Sequence, residues 1–312
     1  MKSIKNLILV FLLASGISAS AQDIQIYTTD NSKGNITGVT IEKAFADAGF
    51  KISGHNDMNV AFKGKFQKTN HKMYHLFTLY KKDLVLELIK LSPKAALFTP
   101  LSMSFYTKKG SNDISISSIS LEGMAKVTGI SAENEYMIEY SKLIRDTLTK
   151  ALPNGHFEKT AYEAKNKGQL ITSFLIEMEA EDTTPEGIEE ELEGIQEELE
   201  SSLETVGFVI AGFNRLGEEF IEAGYKKYDF FDAYSICKLP VIFEVSKKHP
   251  EAGAFAPCTV YMYKEKGSNT IQMAYPSVYN WISSLAIDDK PSVKVLVDAE
   301  NIMVEVINET IE

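Results

Sequence analysis

The chain is poor in cysteine, in tryptophan and in positive charge. Its 312 residues include two cysteines, one tryptophan and five histidines, and 32 basic against 43 acidic groups give a net charge of −11. That balance repels phosphate, and no basic stripe offsets it, so a general nucleic-acid role is excluded. Beyond the first 21 residues no apolar run approaches the ~20 positions a membrane helix needs. Also missing are a Gly-rich phosphate loop, a Gly-x-Ser-x-Gly elbow and a His-Glu-x-x-His helix, and with them the reactions those motifs carry out. His71 and His75 stand four apart, a helical spacing for metal ligands, but the run from Tyr74 to Tyr80 reads as a strand. Nothing in the sequence fixes a carboxylate or cysteine beside them, so no metal site is expected and no cofactor is indicated.

What is present begins with an export signal. Lys2 and Lys5 precede an apolar core, Leu7 to Ala14, and Ala19-Ser20-Ala21 forms a small-residue cleavage site. The core is too short to span a bilayer and no Cys at the cleavage point could take a lipid. The expected product is a soluble protein beginning near Gln22, in a periplasm or secreted.

The dominant feature is a duplication. PKAALFTPLSMSFYTKKGSNDI, from Pro93, returns as PEAGAFAPCTVYMYKEKGSNTI from Pro250, 157 positions later, with ten identities in twenty-two ungapped positions. Chance would give about one or two. GFKISGHNDM from Gly49 returns as GFVIAGFNRL from Gly207, 158 positions later. The expected division is a signal peptide over 1–21, a first domain over 22–152, a linker over 153–167 and a second domain over 168–312.

Periodicity fills in each copy. In the first, strands are expected at 23–28, along GFKISGHNDM (49–58) after its entry through Gly49-Phe50, at 74–80 and at 100–108, with Lys109-Gly110-Ser111-Asn112 turning a hairpin. Helices are expected after Thr40 as N-cap, over 82–91 with Leu84, Leu88 and Leu91 inward, and around Tyr136 to Leu148. In the second, Thr184 caps a long helix with Pro185 in its first turn and Ile188, Leu192, Ile195, Leu199, Leu203 and Val206 on one stripe. The stretch 218–227 reads as irregular, and Asp288-Asp289-Lys290-Pro291 opens a final helix with Leu296, Ala299, Met303 and Val306 inward. Its outer face is glutamate-rich; carboxylates strung along a helix cannot converge on a calcium ion, so a solvated face is expected. His249 reads as a helix C-terminal residue favoured by the backbone dipole.

Cys237 ends one strand of the second copy and Cys258 begins the next, and Tyr80 and Leu101 take the equivalent places in the first. The fold therefore does not require sulfur there. A disulfide, a reactive or sulfur-carrying thiol, a soft-metal site and two unpaired buried cysteines all fit this placement. Tyr261 and Tyr263, like Phe105 and Tyr106, fall on the hairpin arm, where they either line a cleft or cover the sheet.

A strand ending in Cys, a short helix ending in His-Pro, and then Ala-Phe-Ala-Pro-Cys leading into a hairpin resemble the family called domain of unknown function 302. Both copies look like members, the first without its cysteines. The resemblance implies an α+β fold with antiparallel sheets carrying helices on one face, similar in outline to the TATA-binding protein. It also implies a fused intramolecular pseudo-dimer with pseudo-twofold symmetry, and it supplies no activity. The function expected is binding of a small ligand or a partner protein, with Cys237, Pro257, Cys258, Tyr261 and Tyr263 as candidate residues. The alternative is a thiol-dependent redox, sulfur-transfer or soft-metal-handling protein using Cys237 and Cys258.

Overall fold

In the computed structural model the described residues are 22–160, 164–178 and 184–311; the expected export signal lies outside them. The first half runs β1 (Ile24–Asp30), α1 (Gly38–Asp47), β2 (Lys51–Asp57), α2 (Met58–Phe66), β3 (Met73–Tyr80) and α3 (Lys82–Leu91). A 3₁₀ segment, Pro93–Phe98, then leads to β4 (Leu101–Thr107), β5 (Asp113–Ile119), α4 (Leu121–Thr128), α5 (Glu135–Ala151) and β6 (His156–Phe157). The second half runs β7 (Ile171–Glu177), α6 (Pro185–Thr205), β8 (Val209–Arg215), α7 (Leu216–Glu222), β9 (Tyr228–Cys237) and α8 (Leu239–Val245). Its 3₁₀ segment, Pro250–Phe255, precedes β10 (Cys258–Glu265), β11 (Thr270–Pro276), α9 (Val278–Ser284) and α10 (Lys290–Ile311).

These elements form an α+β structure of two antiparallel sheets with one strand order: β2-β3-β4-β5-β1 in the first and β8-β9-β10-β11-β7 in the second. The first gains β6 at its edge, where Tyr27 pairs with Phe157. That short strand comes from the segment expected to be only a polar connection. Registers repeat as the sequence does. Lys51 faces Tyr80 as Val209 faces Cys237, and Leu79 faces Leu101 as Ile236 faces Cys258. The ladder slips between Ile52 and Gly54 and again between Ile210 and Gly212. The peptides before Pro100 and Pro257 are both cis.

Contacts between the halves come in reciprocal pairs. Ser102 Oγ donates to the Pro257 carbonyl at 2.7 Å, and Thr259 Oγ1 donates to the Pro100 carbonyl at 3.0 Å. Each pair is the other displaced by the repeat, which is what a twofold relation demands. The same exchange recurs farther out. Phe243 of α8 packs edge-on to Phe62 and stacks on Phe66 of α2, while α7 sends Glu219 to Lys51 and the Tyr80 hydroxyl, and Glu222 to Lys82.

Serines let the sheets approach. Ser104 Oγ donates to the Pro250 carbonyl at 2.9 Å and Ser117 Oγ to the Glu251 carbonyl at 2.9 Å, so the second 3₁₀ segment lies directly on β4 and β5. On the opposite faces, helices cover each sheet with the apolar stripes that periodicity predicts: Ile41 and Phe45 on α1, Leu192, Leu199 and Leu203 on α6, Leu296, Met303 and Val306 on α10.

Some local expectations are corrected. Thr37, not Thr40, caps α1; Thr40 sits at the third helical position and completes a reciprocal capping box. Leu91 is 53% exposed rather than inward, because Val85, Leu86 and Ile89 complete the buried face of α3. α2 and α7, the first unexpected and the second read as irregular, are short helices carrying the cross-half contacts above. Thr184 does cap α6 with Pro185 in the first turn, its Oγ1 accepting from Gly187 N at 3.2 Å.

Candidate functional site

Cys237 and Cys258 are free thiols. Both line an apolar cavity of about 50 Å³ between the ends of β9 and β10 and helix α10, together with Phe208, Tyr275, Trp281 and Met303. Desolvation pushes both thiols up to about 12, and Cys258 is raised further by its neighbour Cys237. Thiolates are therefore scarce at neutral pH, and the cavity has room for little more than a water or two. Both side chains are half-buried rather than sealed off, so iodoacetamide at pH 8 is expected to modify them far more slowly in the folded protein than after denaturation, when it takes two equivalents. Rapid alkylation of the native state would contradict this placement.

Pro257 belongs to the contact between halves, its carbonyl bonded to Ser102. Tyr261 and Tyr263 are buried in the sheet: Tyr263 stacks on Phe231 and donates to Gln272 Oε1 at 2.7 Å. Neither tyrosine lines the cysteine cavity or the larger cleft described below.

The two histidines at helical spacing do not converge. His71 Nε2 bonds the Ser246 carbonyl of the other half at 2.7 Å, and burial holds its pKa down. His75 turns to His55, Nδ1 to Nε2 at 3.1 Å, while His55 Nδ1 meets Glu42 Oε2 at 2.5 Å. This chain of groups could relay a proton, but among the described residues no three His, Cys, Asp or Glu side chains are arranged to hold a metal. His249 follows the end of α8, yet its ring lies 3.4 Å from Glu251 and 3.5 Å from Asp289. Those carboxylates outweigh its burial and raise its pKa, where the sequence pointed to the helix dipole.

A larger opening sits in the second half. A cleft of about 560 Å³ lies under the first turns of α6, bounded by the starts of β9 and α7, the end of β10 and the turn after it. Its origin is a difference in helix length. α1 has 10 residues and α6 has 21, and the repeat offset aligns α1 with the last turns of α6 only. The added turns, carrying Ile188, Leu192 and Glu193, overhang the paired strands β9 and β10 and roof the space.

At the cleft wall stands Asp232, 6% exposed. Gln196 Nε2 donates to its Oδ2 at 2.9 Å. No Lys, Arg or His among the described residues lies within ion-pair distance of it. Arg215 is its register partner on β8 but turns toward Glu218 at 3.6 Å. Desolvation raises the Asp232 carboxyl to about 6, against lowering by Gln196 and Arg215. The buried Glu300 and the half-buried Asp229 are better satisfied. Glu300 accepts from Thr172, Tyr275 and the Val278 amide, and Asp229 pairs with Lys264, itself 4% exposed.

Asp232 and Gln196 were not singled out in the sequence, although one signal was there. Gln196 falls four residues after Leu192 and three before Leu199, a polar side chain on the inward stripe of α6. A buried amide needs a partner, and Asp232, the second of the two carboxylates in the aromatic strand YDFFDAYSIC, supplies it. In the first half the matching positions are Gly38 and His75. A Cβ on Gly38 would come within 2.9 Å of the His55 ring, so glycine is what admits the histidine pair there.

No protein-family model matches the chain, and no curated protein does. Among solved structures the chain is similar to an uncharacterised conserved protein, DUF302, from Bacillus stearothermophilus. The likeness has 16% identity and a TM-score of 0.37 and covers 46% of this chain and all of that one.

Proposed function

We propose that this chain is an exported small-ligand-binding protein built from two units of the DUF302 kind, and that its site is the cleft beneath α6. Support for the two units comes from the repeated strand order, the repeated ladder slips and the 157-residue displacement of Pro100 onto Pro257. Support for export comes from Lys2, Lys5, the Leu7–Ala14 core and Ala19-Ser20-Ala21. The domain limits of 22–152 and 168–312 and a periplasmic or secreted location belong to the same proposal.

One observation carries the binding reading: a cleft of about 560 Å³ that joins apolar side chains such as Ile188, Leu192 and Phe230 to a charged rim, with a buried carboxylate on its wall whose pKa is raised to about 6. Volume, apolar lining and a few convergent polar groups, one with a perturbed pKa, are the usual marks of a ligand site. Catalysis has no comparable support, since the nucleophile candidates Cys237 and Cys258 are held protonated.

A fragment screen read by ligand-observed NMR tests the site. Hits are expected to be lost in Ile188→Trp, which fills the cleft from its half-buried rim, and retained in Trp281→Phe at the distant cysteine cavity. Hits that survive Ile188→Trp would overturn the assignment.

A further inference from the structure

We infer that the cleft selects ligands bearing a cationic amine on an apolar stem, the ammonium pairing with Asp232 and the stem lying along Ile188, Leu192 and Phe230. The inference rests on the reading of the cleft as a ligand site and adds the chemistry of its occupant.

Asp232 lacks the partner its burial demands. A carboxylate taken out of water needs a cation or several donors, and where neither is supplied its charged form is penalised. Asp232 has one amide donor, Gln196, and its natural cross-strand cation, Arg215, is turned to Glu218 and lies 6.0 Å over the Phe213 ring. Among the described residues the one buried lysine, Lys264, is committed to Asp229. A ligand ammonium would supply the missing positive charge and find the rest of its surface against apolar side chains.

Net charge points the same way. The cleft lining carries five carboxylates, Glu189, Glu193, Glu218, Asp229 and Asp232, against Arg215, Lys264 and Lys266. An anionic ligand would meet this excess unfavourably, and a neutral one would leave Asp232 uncompensated. The first half offers no such site, because His75 occupies the place of Asp232 and bonds His55.

The groups facing Asp232 fix the pH response. They are Gln196 and Glu193 from α6, Glu218 from α7, Arg215 from β8, and the Asp229–Lys264 pair. Ammonium binding therefore strengthens as pH rises through about 6 and weakens below it, as the carboxyl takes up a proton.

Calorimetric and NMR titrations with phenethylamine, phenethyl alcohol and 3-phenylpropionate separate the outcomes. The amine is expected to bind at least tenfold more tightly than the alcohol at pH 7.5. That preference should collapse at pH 5 and in Asp232→Asn, which retains the acceptor for Gln196. The phenylpropionate should bind most weakly. If the alcohol or the acid binds as tightly as the amine and perturbs Leu192 and Phe230 resonances, the cleft is a ligand site and the cation inference fails. If no probe perturbs those resonances, both the inference and the underlying reading fail.

Discussion

Asp232→Asn is expected to stabilise the unliganded protein at pH 7 by about 3 kcal/mol. The carboxyl is raised from 3.8 to about 6 by desolvation, and each unit of displacement is worth about 1.4 kcal/mol. The sign follows from proton binding. Between 3.8 and about 6 the folded state binds the proton that the unfolded chain has released, so the ionised carboxyl destabilises the fold fully above about 6 and not at all below 3.8. Asparagine removes the charge and keeps an oxygen for Gln196. Urea unfolding should therefore show the full gain at pH 7 to 8 and almost none at pH 3.5. A variant no more stable than the parent at pH 7 would mean that Asp232 is compensated after all. The cost borne by the native residue is what a binding site shows when its own ligand is the missing partner.

The second large effect concerns the contact between halves. Gly253→Val is expected to destabilise the protein by about 3 kcal/mol or more, since overpacking a rigid contact commonly costs 1–3 kcal/mol and this site offers no slack. A Cβ there would lie 2.3 Å from Ser104 Cβ, 2.7 Å from its Oγ and 2.8 Å from Leu76 Cδ2. Both neighbours belong to the first sheet, β4 and β3, and Ser104 is pinned by Ser117 and the Pro250 carbonyl. Adding Ser104→Gly should recover part of the loss, because it removes the closest atom. Denaturant melts of the two single variants and the double variant close a cycle whose coupling term should exceed 1 kcal/mol in favour of the pair. A Gly253→Val protein melting with the parent would show that the second 3₁₀ segment does not lie against the first sheet.

Much of this architecture could be read from residues. The displacement of Pro93 onto Pro250 anticipated two sheets of one strand order, and the stripes of α6 and α10 fell inward as their spacing required. What periodicity could not reach were consequences of assembly. His71 and His75 sit within five residues yet serve different partners, one across the contact at Ser246 and one within its own sheet at His55. Leu91 fits a helical stripe but emerges into solvent, because the buried face of α3 is set by what packs on it. The cleft was the most hidden feature. The length of α6 was legible from Thr184 to Val206, but not that its first turns have no counterpart in α1 and so overhang the sheet. Gln196 on the inward stripe was the mark that could have been followed to Asp232. The cysteines stood out more plainly in the sequence; their strand-end positions are as expected, but desolvation makes their thiols poor nucleophiles.

The account turns on one carboxyl group. A ¹³C NMR titration of the Asp232 side chain in the intact protein should give an inflection near pH 6, and saturation with phenethylamine should move it downward as the ammonium supplies the missing charge. An inflection at the ordinary aspartate value, unmoved by the amine, would contradict the claim that this cleft holds a buried acid in need of a cation.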